Sequence, residues 1–129
     1  MKQRWNREAV AERVREAWDT LRRVPAQRVP GFMTSWPDIV QDYFEAYGHG
    51  TPSVRLAPAA PAAIDRMDET FGWFAFLKGA PHLTKAVWLC CGCGMGPRRA
   101  GAILGAHRDT IRERRDLALD AIADGLNRE

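Results

Sequence analysis

Six arginines, Arg98, Arg99, Arg108, Arg112, Arg114 and Arg115, fall between positions 98 and 115 with only Asp109 and Glu113 to offset them, a local charge of +4. Guanidinium groups offer several N–H donors in a planar fork that suits phosphate oxygens. A second basic stretch, Met1 to Arg28, holds eight basic and four acidic residues and is also at +4. Between them Val29 to Met95 sums to −2, and the tail from Asp116 to Glu129 sums to −3. Two basic segments flanking an acidic middle imply a polyanion as partner more directly than the modest overall charge of +3 does.

Other residues with chemical potential point nowhere as definite. Cys90, Cys91 and Cys93 are an odd, clustered set, a poor disulfide framework. Their C-C-x-C spacing, with His82 and His107 the nearest imidazoles, does not match the four-ligand pattern of structural zinc, so no metal is expected. The glycines Gly92, Gly94 and Gly96 follow a helical segment and lack both the G-K-[ST] of a Walker loop and the last spacing of G-x-G-x-x-G. Asp65, Asp68 and Glu69 stand beside Arg66 and read as a solvated stripe. With no nucleophile paired to a base, neither catalysis nor a cofactor is expected.

The elements that must position the arginines are helical. The chain of 129 residues is the size of one domain, 46% of it apolar, rich in Ala and sparse in Val, Ile and Thr. Asn6 caps an expected helix to about Arg23, with Val10, Val14, Trp18 and Leu21 recurring on one face. Pro37 starts a second, over about 36–48, in which Tyr43, Phe44 and Tyr47 have core spacing. Gly48 to Pro61 reads as a connecting loop, and a third helix spans about 61–78. These make an N-terminal helical region, residues 1–80. A fourth helix, about Pro81 to Cys91, opens the C-terminal region, residues 81–129. The expected fold is a small all-α domain ending in a helix-turn-helix. No apolar run is long enough to span a membrane, and Met1 to Arg15 lacks the apolar centre of a secretory signal, which makes the cytoplasm the expected location.

Residues 97–122, PRRAGAILGAHRDTIRERRDLALDAI, carry the helix-turn-helix expectation. Pro97 opens a short helix to Leu104, Gly105 supplies a left-handed turn, and His107 caps a second helix. In that helix Ile111, Ala118, Leu119, Ile122 and Leu126 keep an apolar face, and the charged run 108–115 occupies the front, the part that enters a major groove in such motifs.

The run Leu104-Gly105-Ala106-His107-Arg108-Asp109-Thr110-Ile111-Arg112, followed by Ala118-Leu119, resembles region 4 of the sigma-70 family. The resemblance implies that Arg108, Asp109 and Glu113 face base edges and that Arg112 contacts a phosphate. It departs from that family at His107, where Ser or Thr is usual, at Arg114, where the family is apolar, and at Glu113, where a neutral amide is common. An acid at 113 would favour cytosine amino groups. The whole chain, through Trp36-Pro37, Tyr47-Gly48 and Ala63 to Glu69, also resembles an uncharacterised family of proteobacterial and prophage proteins.

These readings lead to an expectation of a DNA-binding protein of phage or prophage type, a transcriptional regulator. Arg98, Arg99 and Arg112 would hold phosphates, with His107, Arg108, Asp109, Thr110, Glu113 and Arg115 completing the contact set. Arginines of the first helix, Arg13, Arg15, Arg22 or Arg23, would add backbone contacts. The expected partner is double-stranded DNA, bound by a homodimer or higher homo-oligomer, because one such helix covers little DNA. Two other readings fit the same pattern: a packaging protein like a terminase small subunit, and an inhibitor or adaptor that offers the aromatic middle of the chain to a host protein.

Overall fold

The computed structural model describes residues 4–23, 37–41 and 58–128, and all the regular structure in them is helical. Five α-helices are α1 (Arg7–Leu21), α2 (Pro61–Trp73), α3 (Pro81–Val87), α4 (Pro97–Leu104) and α5 (Arg108–Arg128). Residues 38–41 form a helical turn, and the remainder of the helix expected over 36–48 lies outside the described residues, as does most of the expected loop from Gly48.

The punctuation of these helices is local chemistry. Asn6 is extended, and its side-chain oxygen accepts the Ala9 N–H at 2.8 Å, satisfying one of the orphan donors of the first turn of α1. Prolines open α2, α3 and α4, where the missing N–H costs nothing. The segment expected as one helix over 61–78 tightens after Trp73 into a 3-10 turn, Phe74–Leu77, and stops at Gly79, whose φ of +90° suits glycine. The fourth helix also departs from the expected single α-helix to Cys91. After Val87 it widens into a π turn, Trp88–Gly92, closed by the Cys93 N–H donating to the Trp88 carbonyl at 3.0 Å. Gly92 leaves room there for the Trp88 indole, which would stand 2.7 Å from a Cβ at that position.

One core runs through both halves of the chain. Val10, Val14, Ala17 and Leu21 of α1 pack with Met67 and Phe71 of α2, Trp88, and Ile111, Ala118 and Ile122 of α5. Trp88 is fully buried at its centre, edge-on to Trp18 at 5.7 Å and to Phe71 at 5.8 Å. Phe71, Trp73 and Phe74 are therefore core residues and not a free aromatic surface; of that cluster Phe76 alone is exposed, at 38%. Each fully buried aliphatic chain contributes about 1.5–3 kcal/mol.

The start of α1 is clamped to the far half of α5. The Trp5 N–H donates to the side-chain oxygen of Asn127 at 2.8 Å, and the Asn127 amide donates back to the Trp5 carbonyl at 2.9 Å. Arg7 makes a bidentate pair with Asp120, both contacts at 2.7 Å, and lies 3.8 Å from Asp116. The hydrogen bond from Arg7, rather than burial, holds the Asp120 carboxyl below its ordinary range. This clamp anchors residues 116–127 of α5 and leaves the first turns of that helix outside it.

Candidate nucleic-acid interface

The site is built on the turn between α4 and α5. Gly105 takes φ +70°, ψ +37°, the left-handed conformation expected of it. A second glycine is as important and escaped the sequence reading. The Ala106 N–H donates to the Gly101 carbonyl at 2.9 Å, and the Ala106 carbonyl oxygen comes so close that a Cβ on Gly101 would stand 2.3 Å from it. The available signal was a small residue one helical turn before the turn glycine. Gly101→Ala is expected to push α4 and α5 apart and lower stability by about 1–3 kcal/mol, since backbone cannot yield as a side chain can. A chemical denaturation midpoint equal to that of the native chain would show that the turn relaxes freely.

His107 does cap α5. Its Nδ1 accepts the Asp109 N–H at 3.1 Å, so the neutral ring carries its proton on Nε2. The Asp109 carboxylate lies 3.6 Å from the same ring nitrogen and 3.4 Å from the Arg112 guanidinium. Ile111, fully buried, turns the opposite side of this first turn into the core.

Most of the expected contact residues are open to solvent. Arg98 and Arg99 on α4 and His107, Arg108, Asp109, Arg112 and Glu113 around the start of α5 are exposed, and Thr110 is half-buried. Among the described residues no ion pair involves Arg98, Arg99 or Arg108. Arg115 does not join them. It lies on the side of α5 nearer the core, its side chain 30% exposed, with Nε donating to Asp116 at 3.2 Å. Arg114, a departure from the sigma pattern, is half-buried at the edge of the exposed face.

The arginines at and just beyond α1 differ in being mostly paired within the fold. Arg13 is sandwiched against Trp73 at 4.7 Å and Trp5 at 5.8 Å and pairs with Glu69 at 3.1 Å. Arg15 pairs with Glu12, and Arg23 with Asp19 at 3.2 Å. Arg7 is committed to Asp120. Of the four arginines expected to reach DNA from this helix, only Arg22 is exposed with no ion pair among the described residues.

The three cysteines are half-buried near the end of the π turn, and among the described residues no group of three or more His, Cys, Asp or Glu is placed to hold a metal ion. Burial pushes the Cys91 thiol up to about 11, with the neighbouring Cys90 adding to the shift and Arg115 opposing it. The folded state therefore holds this proton more tightly than the unfolded chain, and the stability it contributes is full below about pH 9 and falls as pH rises toward about 11. Alkylation of Cys91 is expected to be slow at pH 8 and fast after unfolding; equal rates in the two states would contradict its burial.

A cleft of about 730 Å³ lies elsewhere, lined by Ile39, Phe71, Phe74, Leu77, Lys78 and Lys85 among others, with no residue from α4 or α5. No helix among the described residues is long and apolar enough to cross a membrane. No curated protein and no solved structure matches the chain. A family model matches residues 22–122, a span that holds the turn and all of the exposed arginines around it, and the chain belongs to that family, described as Domain of unknown function (DUF6362).

Proposed function

We propose that this protein binds double-stranded DNA through α4, the Gly105 turn and the first turns of α5, and that it acts as a transcriptional regulator of phage or prophage type. The observation that carries the reading is the contrast between its two basic segments. Arg7, Arg13 and Arg15 of α1, and Arg23 just beyond it, pair with acids of the same fold, whereas Arg98 and Arg99 at the start of α4 and Arg108 at the start of α5 are exposed with no ion-pair partner among the described residues. Unpaired guanidinium groups at the starts of two consecutive helices suit phosphate contacts from α4 and base-edge contacts from α5. The sigma-like pattern of residues 104–112 supports the same placement.

Asp109 modifies the expected roles. Its carboxylate sits between His107 and Arg112, so it holds Arg112 near the helix start in the free protein and competes with DNA for that charge. An adaptor built on the aromatic middle would have to use residues other than Phe71, Trp73 and Phe74, which are core residues. Titration of a labelled random-sequence duplex with the full chain tests the proposal: saturable binding in low salt is expected, and absence of binding would overturn it.

A further inference from the structure

We infer that α5 is also a dimerisation helix, pairing antiparallel with α5 of a second copy of this chain. Thr110, Arg114, Leu117, Ala121, Asp124 and Arg128 follow one another at spacings of four and three residues and form a single stripe along this helix. The stripe is separate from the core stripe of Ile111, Ala118 and Ile122, and from the Asp116, Asp120 and Asn127 positions that hold the start of α1. It is open to solvent at its middle, where Leu117 is 56% exposed. Phe76, another exposed large apolar side chain, borders it, since its ring lies against Gly125 one turn after Ala121.

What identifies the occupant as a second copy is the order of residues along the stripe. A two-fold axis through position 119 of an antiparallel pair sets Leu117 against Ala121 of the second copy, Arg114 against its Asp124, and Thr110 against its Arg128. Every contact then occurs twice, as an isologous interface requires. The large apolar residue meets the small one, and the basic residue meets the acidic one. Neither Arg114 nor Asp124 has an ion pair within its own protomer among the described residues. In a parallel in-register pair the same stripe would set arginine on arginine and aspartate on aspartate.

The geometry also suits the proposed DNA reading, on which only this further step rests. With a rise of 1.5 Å per residue, two copies of Arg108 related by an axis at position 119 lie about 33 Å apart along the paired helices, close to one turn of B-DNA. The paired surface is small beside a standard interface, so the dimer should dissociate in the micromolar to sub-millimolar range without DNA.

Sedimentation equilibrium of the full chain without DNA tests the pairing independently of any DNA activity. The native chain is expected to dimerise. Arg114→Asp alone and Asp124→Arg alone should each weaken the dimer at least about tenfold, by setting like charges against each other at two equivalent places. The double variant Arg114→Asp/Asp124→Arg should return to within a few-fold of the native constant. Leu117→Glu should weaken it as well, with circular dichroism and thermal melting confirming that each variant is folded. A chain that stays monomeric through the sub-millimolar range, single reversals without effect, or a folded double variant that fails to recover would overturn the inference. If the dimer forms as described but no duplex is bound, the pairing stands and the DNA reading fails.

Discussion

Ile111→Ala is expected to destabilise the fold by about 2–5 kcal/mol, the range for removing a fully buried aliphatic side chain from a packed core. Ile111 is 0% exposed and lies in the first turn of α5, beneath the region where His107, Arg108 and Arg112 are exposed. It joins the cluster that includes Ala100 of α4, Trp88 and Ile122, so its loss opens a cavity between the two helices that form the turn. Urea denaturation followed by tryptophan fluorescence would measure the change. A loss under about 1 kcal/mol would mean that the first turn of α5 is not seated in the core as described.

Arg108→Ala and Arg112→Ala are expected to separate reading from holding. Arg108 is exposed one residue beyond the cap and makes no ion pair among the described residues, so its side chain is free to reach base edges. On the best sequence selected from a random duplex pool its loss should cost about 1–3 kcal/mol, and far less on random DNA. Arg112 stands one turn later, 3.4 Å from Asp109, and belongs with the phosphate contacts. Its loss should weaken specific and random binding about equally and reduce the salt slope by roughly one unit. Equal losses on specific and random DNA for Arg108→Ala would move that residue to the backbone contacts.

What was legible in the sequence was local. The Asn6 cap, the left-handed Gly105, the inward Ile111 and Val10, Val14 and Leu21 of the expected α1 face each stand where residue type and spacing place them, while Trp18 of that face is half-buried and Ala17 is buried beside it. What escaped depends on residues far apart in the chain. No periodicity announces that Trp88 will sit over Gly92 in a π turn, or that Ala106 will crowd Gly101. For the same reason the internal pairing of α1 escaped. Its basic count was right, but the acids that neutralise it include Glu69 and Asp120, placed beside Arg13 and Arg7 only by the tertiary fold. In the C-terminal cluster Arg98, Arg99 and Arg108 are exposed and have no ion pair among the described residues. Arg115 was counted with that cluster on sequence proximity alone; in the fold its side chain is only 30% exposed and donates to Asp116.

The salt dependence of duplex binding by the native chain tests the central claim most directly. Each neutralised phosphate contributes about −0.9 to the slope of log affinity against log salt, so phosphate contacts by Arg98, Arg99 and Arg112 predict a slope of roughly −3 per protomer between about 50 mM and 200 mM salt. Duplex binding with no salt dependence, or none at all at about 50 mM salt, would contradict a phosphate-holding role for these arginines.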